Sequence, residues 1–126
     1  MKSLLATLLL VLTVSVAGAE LPSASDAETT KALASGKPTV IDLGARTCIP
    51  CKKMAPILEE LAGTWRGAAN VLFIDVREDN AAAKRFAIQM IPTQIFFDDK
   101  GKEVSRHIGF MDKAGLVTGL QAAGLK

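Results

Sequence analysis

Apolar residues in this chain fall into two patterns: short continuous runs, and runs spaced by three and four. "TVIDL" (39–43) and "NVLFIDV" (70–76) are continuous and rich in β-branched side chains, so both read as buried strands. Between them, Met54, Leu58, Leu61 and Trp65 recur at helical spacing, with Lys52, Lys53, Glu59 and Glu60 mostly on other faces. This pattern predicts a helix from Cys51 onward, bent at Pro56, where a backbone donor is missing. "QMIPTQIFFDDKGKEVSRHIGF" (89–110) reads as two strands joined by a turn at Asp98–Gly101.

Capping signals place the remaining helices. Ser25 and Glu28 have capping-box spacing, so a first helix is expected near Asp26, stopped by Gly36 and Pro38. Asp79 can cap "NAAAKRFAI", and Asp112 can cap a last helix of about ten residues reaching Gly124. The order is helix, strand, helix, strand, helix, strand, strand, helix. That alternation, closed by a hairpin, predicts an α/β domain whose mixed sheet is covered on both faces.

The N-terminus departs from this pattern. Lys2 precedes an apolar run from Leu4 to about Val16, and Ala17-Gly18-Ala19 follows. A positive start, a short hydrophobic core and an A-x-A-like end predict a secretory signal peptide, residues 1–19, cleaved after Ala19. The run is short for a membrane span, which takes about 20 residues. The mature domain is then 20–126, exported, and long enough to bury one modest core without staples. The formal net charge of +2 gives no electrostatic footprint for nucleic acid.

Export sharpens the question raised by "RTCIPCKKM". Cys48 and Cys51 are the only cysteines, and in an oxidising compartment such a pair is by default a disulfide. As a structural staple the bridge would close a very small loop, for about 2 kcal/mol against ~4.7 for a 100-residue loop. Structural zinc needs about four ligands, and the chain offers two cysteines and the single His107. A Cu(I) ion could use two thiolates alone, so a metal-holding module stays open. The redox reading fits best. Cys48 lies where a helix starts, and helix N–H groups favour a thiolate there. Cys51 is one turn further in, placed to resolve what Cys48 attacks. Arg46, Lys52 and Lys53 could add positive potential.

At these residues the chain resembles the thioredoxin family, from about Lys37 to the C-terminus. "CIPC" fits the C-x-P-C pattern, and "CKKMAPILEEL" is similar to the family's active-site helix, Pro56 included. "VIDLGA" puts Asp42 where thioredoxins carry a buried aspartate. "MIPTQIFFDDKGKEV" resembles the cis-proline segment, with Pro92 after Ile91, and Gly109 matches a late family glycine. Three departures stand out: Thr47 replaces a common tryptophan, Ile49 a common glycine, and Phe73 a lysine near the aspartate.

The resemblance implies a thioredoxin fold: a central mixed sheet of four to five strands with helices on both faces. It implies a thiol–disulfide oxidoreductase that reduces protein disulfides through a Cys48–Cys51 redox disulfide. Cys48 would be the nucleophile, Cys51 the resolving thiol and Asp42 the proton relay. Thr47, Ile49, Pro50, Ile91 and Pro92 would bind substrate, with the Ile91 backbone pairing to an extended segment. No organic cofactor and no metal are implied. The expected partners are disulfide-containing proteins and a membrane-linked thiol reductant, for a monomer in the periplasm or an equivalent space. The alternative is a thioredoxin-fold binding or copper-handling module without turnover.

Overall fold

Residues 20–126 are described by the computed structural model; the expected signal peptide, 1–19, lies outside them. The elements are α1 (Asp26–Leu33), β1 (Thr39–Gly44), α2 (Ile49–Thr64), β2 (Asn70–Asp75), α3 (Asn80–Arg85), β3 (Thr93–Phe97), β4 (Glu103–Ile108) and α4 (Lys113–Ala122). The order is the one the hydrophobic pattern predicts. The sheet has four strands in the order β2-β1-β3-β4. β1 and β2 are parallel, and the β1–β3 and β3–β4 pairs are antiparallel, so the sheet is mixed.

The caps explain where the helices begin. Ser25 and Glu28 form the reciprocal box, each side chain taking the other's backbone N–H at 3.2 and 2.7 Å. Asp79 Oδ1 accepts from Ala82 N at 3.0 Å, and Asp112 Oδ1 from Gly115 N at 2.8 Å. α2 starts two residues before the expected Cys51. Pro50 sits in its first turn, where no backbone donor is needed, and Cys48 is the N-cap. The helix runs as one element through Pro56 to Thr64. α3 is shorter than expected because the chain leaves the helix at Phe86 and turns left-handed at Ala87 (φ 52°).

Strand alternation sorts the side chains into two layers. Val40, Val71 and Phe96 pack with Met54, Leu58 and Leu61 of α2 and Leu116 and Leu120 of α4. Ile41, Leu43, Ile74, Ile95 and Phe97 pack on the other face with Ala82 and Phe86, the α3 segment; Leu33 of α1 joins them. Coverage is complete for β1 and β3, where every residue is buried. It fails at β4, where every residue is exposed. Glu103, Ser105, Arg106 and His107 make this edge polar, which discourages pairing with another chain. The hairpin turn falls where expected: Gly101 takes φ 75°, and Asp98 Oδ1 accepts from Lys100 and Lys102 N at 2.9 and 3.0 Å.

Candidate active site

The C-terminal ends of β1 and β2 and the N-terminal end of β3 lie at one end of the sheet, through the pairs Gly44–Asp75 and Leu43–Thr93. The loop out of β1 carries Arg46, Thr47 and Cys48 there, and α2 begins at once. The two cysteines are joined as a disulfide, with Cα atoms 5.1 Å apart. Their surroundings differ. Cys48 is partly exposed at the helix N-cap and has no side-chain cap bond, while Cys51 is 5% exposed within the first turn. Pro56, near Cys51 in sequence, is itself exposed. β1 comes close to the inner sulfur. A Cβ added to Gly44 would meet Cys51 Sγ at 3.2 Å and Asp42 Oδ2 at 3.5 Å. Glycine at position 44 thus leaves the space in which the buried carboxyl and the inner sulfur share surroundings.

Asp42 is fully buried, as the sequence position implies. Burial pushes its pKa up to about 6, against a smaller downward pull from the hydrogen bond of Gln94. That bond runs from Gln94 Nε2 to Asp42 Oδ1 at 2.9 Å, and Oδ2 has no partner among the described residues. Phe73 sits opposite Asp42 in the β1–β2 register, on the same face and 7% exposed. An aromatic ring therefore occupies the flank where the resemblance leads one to look for a lysine.

Arg46 is held by groups distant in sequence. Its guanidinium donates to Glu20 Oε2 and the Leu21 carbonyl, both at 2.8 Å, and lies 4.9 Å from the Phe73 ring centroid. It lines a crevice with Cys51, Phe73, Ala55 and Lys52. Lys52 and Lys53 are exposed. The loop is anchored by Asp75. Burial alone would raise the pKa of this carboxyl. N–H donors from Arg46 (3.2 Å), Arg77 (2.9 Å) and Glu78 (3.2 Å), with the Arg46 charge, outweigh burial and lower it. Arg77 in turn donates to Thr47 Oγ1.

The second expected segment arrives at the same end. The Ile91–Pro92 bond is cis. Pro92 is buried and Ile91 partly exposed, while Thr47, Ile49 and Pro50 are exposed on the cysteine side. Gly109, at φ 102°, donates its N–H to the Pro92 carbonyl at 2.8 Å, a backbone conformation that favours glycine. Among the described residues, four of the five exposed large apolar side chains lie on this end of the chain's topology: Ile49 (72%), Met90, Ile108 and Phe110.

The family model for thioredoxin matches residues 21–122. The chain belongs to the thioredoxin family. It is 46% identical over 77 residues to the thioredoxin of Staphylococcus saprophyticus, covering 61% of this chain and 73% of that one. Over the same span it is 42% identical to the thioredoxin of Staphylococcus aureus. A mutant thioredoxin from Halobacterium salinarum superposes with a TM-score of 0.72 at 26% identity, over 82% of this chain and 88% of that structure. With the Cys48–Cys51 pair in place, membership makes the protein a thiol–disulfide oxidoreductase acting on disulfide-containing proteins.

The structure places the cysteines at a helix start, Asp42 in a buried strand and Pro92 after a cis bond, as the sequence reading expects. The sequence reading missed Gln94, Gly44, Asp75 and Arg77. The only signal for Gln94 was a lone amide inside an otherwise apolar strand, "TQIFF".

Proposed function

We propose that this thioredoxin-family protein is an exported, net reductase of protein disulfides, with Cys48 attacking and Cys51 resolving. The observation that carries the roles is the asymmetry of the pair: one sulfur accessible at a helix N-terminus, the other buried beside a carboxyl. In the reduced protein the Cys48 thiolate attacks a substrate sulfur. A Cys48–substrate bond forms, and the substrate's own S–S bond breaks with release of a thiolate that takes a proton from water. Cys51 loses its proton to Asp42, and its thiolate attacks Cys48 Sγ. The Cys48–Cys51 bond forms, the mixed disulfide breaks, and the second substrate sulfur departs as a thiolate that takes a proton from water. One substrate disulfide is reduced to two thiols and one protein dithiol is oxidised. Asp42 then gives its proton to solvent.

Ile49, Pro50 and Thr47 on one side, and Ile91 and Pro92 on the other, receive the substrate, with the Ile91 backbone offered to an extended segment. The apolar side chains of Ile49, Met90, Ile108 and Phe110 favour unfolded or loosely folded substrates, which expose apolar surface. The reducing direction rests on Ile49 and Pro50. Neither can donate to a Cys48 thiolate from a side chain, and a strongly stabilised reduced form is what makes an oxidant. The periplasmic setting rests on the residue pattern of 1–19, and there the oxidised pair needs a membrane-linked thiol reductant to be recycled. The mature protein works as a monomer.

Turnover of a protein disulfide with a dithiol as the final reductant tests the enzyme reading. Many cycles per protein are expected; stoichiometric binding of Cu(I) without turnover would favour a holding module instead. Equilibration with glutathione tests the direction, with a potential near the oxidising limit of about −120 mV refuting it. Fractionation of cells should place the mature form, beginning at Glu20, outside the cytoplasm.

A further inference from the structure

Two buried polar atoms lack partners at the same place in the fold. Asp42 and Gln94 are directly opposite in the β1–β3 register, and both are fully buried. The amide nitrogen of Gln94 holds Asp42 Oδ1, while Asp42 Oδ2 and Gln94 Oε1 are without a hydrogen bond among the described residues. The unpartnered Oδ2 is the oxygen that approaches the space beside Gly44, which Cys51 Sγ also borders. A side chain as costly to bury as glutamine earns its place only if its hydrogen bond does something.

We propose that Gln94 is a positioning residue that fixes which oxygen of Asp42 exchanges a proton with Cys51. An N–H donor at Oδ1 makes that oxygen a poor site for a proton, because a donor cannot face a hydroxyl hydrogen. The proton is therefore held on Oδ2, on the Cys51 side. The same N–H stabilises the carboxylate once the proton has left. A neutral amide does this without the fixed charge a lysine would bring, which would hold Asp42 ionised. With Phe73 on the β2 flank, the amide is the group that steadies the carboxyl in either protonation state.

The other charged and titratable groups around this pair are few among the described residues. Cys51 faces it from α2, and Arg46 and Lys52 line a crevice that Cys51 also lines, with Glu20 bound to Arg46. His107 lies across from Gln94 on β4, exposed, with its Nε2 3.2 Å from the Phe110 carbonyl oxygen.

This inference rests on the role proposed for Asp42 above, so the test separates the two. Carboxyl carbon resonances of the oxidised protein report the Asp42 midpoint without any turnover. Gln94→Met keeps the length and bulk of the side chain and removes the donor. The expected result is a rise of the Asp42 midpoint by at least about half a pH unit, since a donor to the charged form is lost. The pH at which the resolving step is half-maximal should rise with it. Gln94→Leu, as a second apolar variant, should do the same if the methionine variant folds poorly. Combined with Asp42→Asn, Gln94→Met should slow resolution no further than Asp42→Asn alone. An unmoved Asp42 midpoint overturns the proposal, and so does additional slowing in the double variant, which would show Gln94 acting through packing.

Discussion

Two cross-strand pairs on the same face of the sheet, two residues apart, have been given opposite contents. Val40 and Phe96 pair in one layer, and Asp42 and Gln94 pair in the next. All four are essentially inaccessible to solvent. The first layer is hydrocarbon throughout, packed under Leu58, Leu61, Leu116 and Leu120. The second holds a carboxyl, an amide, an open glycine position and a sulfur, with two polar atoms unbonded. Burial is equal, so burial is not what separates core from site. What separates them is whether buried groups are satisfied. The lower layer supplies stability, and the upper one gives some up to keep a carboxyl whose protonation can change.

The sharpest contrast comes from truncating each layer. Phe96→Ala should cost about 3–5 kcal/mol in denaturant unfolding, as expected for a buried aromatic. It should leave the pH midpoint of turnover in place; a displaced midpoint would mean the layers are not independent. Asp42→Asn should act in the opposite direction and stabilise the oxidised protein. The folded carboxyl has its pKa raised from 3.8 to about 6, so the folded state holds its proton more tightly than the unfolded state. Below about pH 3.8 both states are protonated and there is no penalty. As pH rises toward 6 stability is lost, and above 6 the full cost of burying the charge remains. The gain from Asp42→Asn should reach roughly 2–3 kcal/mol at pH 8 and vanish at about pH 4, while turnover slows. A destabilised variant at pH 8 would refute the raised pKa. A smaller effect is expected at Gly119, whose added Cβ would run into the Phe96 ring. Gly119→Ala should cost about 1–3 kcal/mol by overpacking the lower layer, again with the pH profile unmoved.

The lower layer was legible in the sequence, because it is made of periodicity. Continuous β-branched runs marked β1 and β2, and the spacing of Met54, Leu58 and Leu61 marked the buried face of α2. Ser25, Asp79 and Asp112 marked helix starts, since capping is local chemistry within four residues. The upper layer was legible only where a motif names its parts: Cys48, Cys51, Asp42 and Pro92. Gln94 is 52 positions from Asp42, and only strand register brings the two together. Gly44 gave no sign of its role, because the space it leaves is defined by side chains from elsewhere. Arg46 stood out only by its nearness to Cys48 in sequence; its partners Glu20, Leu21 and Phe73 come from distant positions that local pattern does not connect to it. The exposed face of β4 was missed because an alternating strand signals one buried face wherever it lies in the sheet.

The division of labour between the two sulfurs is the centre of this account, and covalent trapping tests it most directly. Cys51→Ser and Cys48→Ser are each produced with residues 1–19 intact, and cell extracts are run on non-reducing gels. Cys51→Ser leaves an accessible attacking thiol without a resolver, so mixed disulfides with substrate proteins should accumulate and disappear on reduction. Cys48→Ser leaves only the buried thiol beside Asp42 and should trap almost nothing. Trapping by Cys48→Ser alone would invert the roles assigned here, and trapping by neither would contradict them altogether.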